Sequence, residues 1–127
     1  MKRKAPFRER KTTLDEKLHG LFGIARKAGM LRVGQDAVRS ELRKGSRLLV
    51  ILSVDHSSNV RSMIEGYRRR GACRVVVSGS IGREEFGRLL STGQTQIVGL
   101  PLVNGLSGKI EKLVAGEVDM DEQDQGL

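Results

Sequence analysis

Three five-residue runs dominated by aliphatic side chains alternate with amphipathic stretches, and this alternation restricts the fold more than any other feature of the chain. The runs are Leu48-Leu-Val-Ile-Leu52, Cys73-Arg-Val-Val-Val77 and Gln96-Ile-Val-Gly-Leu100. Each is too short for a core helix, and none shows the strict polar alternation of a half-exposed strand. Such strands need cover on both faces. The intervening segments supply it, with Leu14, Leu18, Leu21, Phe22 and Ala25 at helical spacing. Val38 with Leu42 follow, then Val60, Met63, Ile64 and Tyr67, then Leu106, Ile110, Leu113 and Val114. Helices alternating with apolar strands predict an α/β fold with a central mixed or parallel sheet and helices on both faces.

Punctuation residues set the expected boundaries. Thr13-Leu-Asp-Glu16 has the spacing of a capping box and predicts a helix start, with the stop near Gly29. Leu31 and Val33 suit a very short strand. Gly34 then precedes a helix from Gln35 to Lys44, and Gly45 ends it. The polar turn 55–59 offers caps for a third helix, which runs to Arg68-Arg-Arg70 and Gly71. Ser78-Gly-Ser-Ile-Gly82 opens a fourth helix with Glu84 and Glu85 in its first turn, where acids suit the helix dipole. Asn104 is the expected cap of the last helix.

Charge divides the chain into three parts. Residues 1–12 hold six cations and one acid, and residues 117–127 hold five acids and no base. These ends cancel, so the formal net charge of +8 falls on residues 13–116. The expected organisation is a disordered basic arm over 1–12, one domain over 13–116 and a disordered acidic tail over 117–127. A small domain with this excess attracts polyanions.

Several function classes find little support. One Tyr, three Phe and no Trp among 127 residues argue against an aromatic stacking platform for single strands and leave shape recognition of folded RNA open. Cys73, the lone cysteine, reads as a small buried hydrophobe and fits a reducing, cytoplasmic location. His19 and His56 have no partner at metal-ligand spacing, so neither a metal nor another cofactor is expected. Asp15-Glu16 and Glu84-Glu85 are better explained by helix starts than by acid–base work, and the chain is expected not to be an enzyme. No apolar stretch reaches the roughly 20 residues of a membrane span, and no secretory signal is expected at the N-terminus.

The segment 27–39 carries the strongest binding chemistry. Lys27, Arg32 and Arg39 surround Gly34 at a helix N-terminus, whose free backbone N–H groups suit a phosphate. Gln35 and Asp36 stand in the first turn, where they can approach base edges. An ionised Asp36 only accepts hydrogen bonds, so its partner would be an amino or imino group. Asp36 is equally explained as a first-turn dipole residue. In the loop 78–83, Ile81 can pack on an unstacked base and Arg83 can pair with a phosphate.

Leu21-Phe-Gly-Ile-Ala-Arg-Lys-Ala-Gly-Met-Leu31, Val33-Gly34 and the basic helix up to Gly45 resemble the kink-turn-binding ribosomal-protein superfamily (the L-seven-Ae group), in particular its small bacterial YlxQ-like branch. Leu48–Leu52, Asp55 and Glu85-Phe-Gly87 extend the resemblance over roughly residues 17–115. It implies a three-layer α/β/α sandwich around a mixed four- or five-stranded sheet. It also implies recognition of bent RNA through the N-terminal end of the second helix and a loop after a later strand. The family pattern there is Gly-x-Asn-Glu-x-x-Lys. Gly34 matches it, while Asp36, Ala37 and Ser40 depart from it.

The expected function is non-catalytic binding of structured RNA, of kink-turn type by the resemblance, with ribosomal RNA or the ribosome as partner and a monomer when free. The candidate residues are Lys27, Arg32, Gly34, Gln35, Asp36, Arg39, Ile81 and Arg83. A ribosome-associated protein-interaction module that has lost specific RNA readout is the alternative, motivated by Ala37 and Ser40.

Overall fold

A computed structural model describes residues 6–116, with side chains described from Leu14 onward. The element order is α1 (Pro6–Lys27), β1 (Arg32–Val33), α2 (Gln35–Arg43), β2 (Leu48–Leu52), α3 (Ser58–Arg69), β3 (Cys73–Val77), α4 (Arg83–Leu90), β4 (Ile97–Pro101) and α5 (Gly105–Ala115). The four strands form one mixed sheet in the order β1-β4-β2-β3. Strands β2 and β3 run parallel, and β4 is antiparallel to both β1 and β2.

Alternate residues of the central strand β2 feed two cores. Leu49 and Ile51 join Leu18, Phe22 and Ala25 of α1, Phe86 and Leu90 of α4, and Ile110 and Val114 of α5. Leu48, Val50 and Leu52 point the other way, onto Val38 and Leu42 of α2 and Val60 and Ile64 of α3. Every residue of β2 is buried. The result is the three-layer α/β/α sandwich, with α1, α4 and α5 on one face and α2 and α3 on the other. Phe22 and Phe86, whose ring centroids lie 5.9 Å apart, join α1 to α4. Such a tilted pair adds about 0.5–1.5 kcal/mol beyond its area.

Most expected boundaries hold within a residue or two. Gly29 (φ 75°) lets the chain leave α1, with the Met30 N–H on the Ala25 carbonyl and the Gly29 N–H on Arg26. Asn104 caps α5 through the Leu106 N–H at 2.8 Å, and Ser57 caps α3 through the Val60 N–H at 3.2 Å.

The start of α1 is a correction. The helix begins at Pro6, so Thr13 and Glu16 lie inside it and form no capping box, and residues 6–12 continue the helix upstream. Proline is well suited to a first helical position, because its φ is preset and its missing N–H would have no intrahelical partner. Nothing from Phe7 to Lys11 interrupts the helix. The remainder of the expected arm, 1–5, and the expected tail, 117–127, lie outside the described residues.

Candidate nucleic-acid interface

Pairing across the sheet gathers three of the candidate residues, Gly34, Gln35 and Arg83, at one end. Ile97, the first residue of β4, lies opposite Leu52, the last residue of β2. The Gly34 N–H donates to the Ile97 carbonyl at 2.9 Å, and the Ser78 N–H donates to Leu52 at 2.9 Å. The N-terminus of α2 and the loops after β2 and β3 therefore share one edge of the domain.

Gly34 is the N-cap of α2 with φ 96° and ψ 162°, a conformation that L side chains essentially never adopt. No side chain caps this helix, so its first N–H groups face outward. They open on a groove of about 400 Å³ lined by Val33, Gly34 and Gln35, by Val60 and Arg83, and by the stretch Thr92–Ile97. Gln35, Gln94 and Gln96 bring three side-chain amides to it, each with both donors and an acceptor. The Gln96 Oε1 accepts the Ser57 N–H at 2.6 Å, which fixes that side chain and leaves its amino group.

The loop 91–96 is pressed onto α4. The Thr92 N–H donates to the Gly87 carbonyl at 2.8 Å, and the Thr95 N–H donates to the Arg83 carbonyl at 3.0 Å. Ser91 adopts a left-handed conformation (φ 60°) to turn the chain back from α4. Arg83 is held from the other side by Asp55. That carboxylate accepts the Arg83 backbone N–H at 2.9 Å and stands 3.6 Å from the guanidinium Nε, while Nη2 reaches the Asp55 carbonyl. Desolvation opposes ionisation of Asp55. The nearby Ser53 hydroxyl, the Arg83 N–H and the Arg83 guanidinium outweigh it and keep the carboxyl below its ordinary range.

The other candidates separate. Asp36 is almost fully exposed and accepts a bond from Arg39 at 3.2 Å, on the outer side of α2 beside Ser40, Arg43 and Lys44. Lys27 is exposed at the end of α1 and does not line the groove. Arg32 turns away from it, with Nε 3.0 Å from Glu41 and Nη1 on the Gly29 carbonyl, in a hollow near Ser46 and Pro101. Ile81 is a second correction. Its N–H donates to the Ser78 hydroxyl at 2.8 Å and its carbonyl accepts the Val54 N–H, which pins the side chain into the α1/α4/α5 core, 7% exposed. It offers no surface for a base.

Sequence reasoning alone does not reach Thr92, Gln94, Thr95, Gln96 and Asp55 as site residues. The polar run Thr92-Gly-Gln-Thr-Gln96 ahead of an apolar strand was the available signal, but its place depends on β4 lying beside β1. Among the described residues no three His, Cys, Asp or Glu side chains could jointly hold a metal ion. No described helix is long and apolar enough to cross a membrane.

No family model and no curated protein matches this chain. Solved structures do. A protein of unknown function from Bacillus halodurans C is 26% identical with a TM-score of 0.64, covering 77% of this chain and 96% of its own. The Giardia lamblia 15.5kD RNA binding protein is 15% identical with a TM-score of 0.57, covering 85% of this chain and 89% of its own. The chain shares their fold. At 15% identity the likeness to the Giardia protein extends to architecture and no further.

Proposed function

We propose that this protein binds structured RNA, without catalysis, through the groove between the N-terminus of α2 and the loop 91–96. One observation carries the proposal: Gly34 and Gln35, from one end of the chain, meet Arg83, Gln94 and Gln96, from the other, around a single groove. The uncapped N–H groups of α2 suit a phosphate, and the three amides suit base edges. The RNA binding of a protein with the same fold, the Giardia lamblia 15.5kD protein, supports it. So does the resemblance of residues 17–115 to the kink-turn-binding superfamily.

Charge directs the backbone path. On the α4 side of Arg83 the hollow holds Asp55, Glu84 and Glu85 against Arg83 and Arg88, which does not favour a polyanion. On the α2 side the exposed face presents Arg39, Arg43 and Lys44 against Asp36. The RNA backbone accordingly runs along α2, and the bases enter the groove. Bent RNA of kink-turn type, with splayed bases, suits this arrangement better than a straight duplex. The lone cysteine, Cys73, is free and buried, which suits a reducing, cytoplasmic site of action.

The test is binding of the full chain to a kink-turn RNA and to a matched straight duplex across a salt series. Tighter binding to the bent RNA is expected, with affinity falling as salt rises. Equal affinity for both would remove kink-turn recognition. Association with ribosomes in the absence of any RNA affinity would favour the protein-interaction module instead.

A further inference from the structure

The end of the domain opposite the groove carries four cations that the proposed site does not use, Arg47, Arg68, Arg69 and Arg70, beside Arg43 and Lys44 at the far end of its α2 flank. Helices α2 and α3 both start at the groove end and cover the same face of the sheet, α2 over β1 and β4 and α3 over β3, so both C-termini lie at the opposite end. The chain connects them closely: the Leu48 N–H, next to Arg47, donates to the Ala72 carbonyl at 3.2 Å. Arg43, Lys44 and Arg47 follow one helix, and Arg68, Arg69 and Arg70 end the other, all exposed.

Neighbouring acids leave most of this charge unspent. Glu41 binds Lys44 at 3.8 Å but is already held by Arg32 at 3.0 Å. Glu65 binds Arg68 at 2.7 Å and is shared with Arg61 at 3.2 Å. Arg43, Arg47 and Arg69 make no ion pair with any described residue. Arg70 lies 4.9 Å from the centre of the Tyr67 ring and makes none either. Cations at helix C-termini ordinarily answer the dipole, but that accounts for one or two per helix. Here two helices and the loop between α2 and β2 concentrate six.

We infer that the C-terminal ends of α2 and α3 form a second RNA-backbone surface, so that the domain holds two segments of RNA at opposite ends of its sheet. This goes beyond the groove. It needs no base recognition, and the residues are suited to phosphates: guanidinium forks on exposed stems, with no acid left free among them. A lipid surface fits less well, because six cations here stand beside one exposed large apolar side chain, Val103, which follows Leu102, whose N–H donates to the Arg47 carbonyl at 3.0 Å. The two ends are separated by the five-residue length of β2, about 15 Å at the rise of a strand.

The experiment compares the full chain with Arg47→Gln/Arg69→Gln/Arg70→Gln and with the groove variant Arg83→Gln, using one folded RNA over a salt series. Each lost phosphate contact lowers the slope of log affinity against log salt by about 0.7–0.9. The triple variant is expected to lose roughly two units of slope and at least about tenfold in low-salt affinity, with thermal unfolding confirming its fold. Arg83→Gln is expected to keep that salt slope within about one unit. An unchanged slope in the triple variant overturns the inference, and a loss confined to Arg83→Gln would leave the groove as the only RNA site. Binding of wild-type protein to phosphatidylserine vesicles that the triple variant loses, with RNA affinity unchanged, overturns it in favour of a lipid contact.

Discussion

A Cβ placed on Gly87 would stand 2.1 Å from the carbonyl oxygen of Gly93. The backbone of α4 and the loop that walls the groove are therefore in direct contact, and only hydrogen fits between them. The same glycine accepts the Thr92 N–H. Gly87→Ala is expected to destabilise the fold by about 1–3 kcal/mol, the usual cost of overpacking, and to displace Gln94 and Gln96. Gly93→Ala, whose Cβ meets nothing within 4 Å, is the control. Denaturant midpoints of the two variants check this, and equal midpoints would refute it.

Gly34 sets the direction of α2 through a backbone conformation (φ 96°, ψ 162°) that excludes side chains. Gly34→Ala has open space for its methyl group but not the conformation. It should cost about 1–3 kcal/mol and weaken RNA binding beyond what lost stability explains. Calorimetry paired with RNA titration well below the melting temperature separates the two effects.

Asp55 both positions Arg83 and neutralises it. Asp55→Asn keeps an oxygen for the Arg83 N–H and removes the negative charge. Tighter RNA binding at low salt is expected, by roughly twofold to tenfold, corresponding to about 0.4–1.4 kcal/mol, with the gain vanishing at high salt. Weaker binding at low salt would mean that the clamp on Arg83 matters more than its free charge.

Glu41 provides a test of pH dependence. The Ser46 hydroxyl first and Arg32 second hold its carboxyl below the ordinary range, against the opposing effect of burial. The unfolded chain therefore binds this proton more readily than the native state. The stabilisation is complete above the unfolded value near 4.5 and is lost as pH falls through the lower folded value. Between about pH 5 and about pH 3 the wild type should lose more stability than Glu41→Gln. Parallel urea titrations at the two pH values measure the difference.

The fold was legible because its signals are local. Leu48–Leu52 and Cys73–Val77 became strands with those same bounds, and Gly29, Gly45 and Gly71 all take the positive φ at which helices end. Half of the site was legible for the same reason, since Gly34 and Gln35 announce a helix start and Arg83 opens another. The amide wall was not, because Gln94 and Gln96 reach Gly34 only when β4 inserts beside β1, and nothing local to residues 91–96 encodes that pairing. Ile81 misled because an apolar residue in a polar loop looks exposed. Two hydrogen bonds, to the Ser78 hydroxyl and from Val54, turn it inward. Arg32 misled because its partner, Glu41, stands nine positions away on the next helix.

The insertion of β4 between β1 and β2 also orders events during synthesis. A growing chain that has not yet reached Ile97 has no acceptor for the Gly34 N–H, no neighbour for β1 and no far wall to the groove. Its basic segments are already made but have no groove beside them. The groove is complete only when β4 closes the sheet and brings residues 92–97 against Gly34 and Gln35.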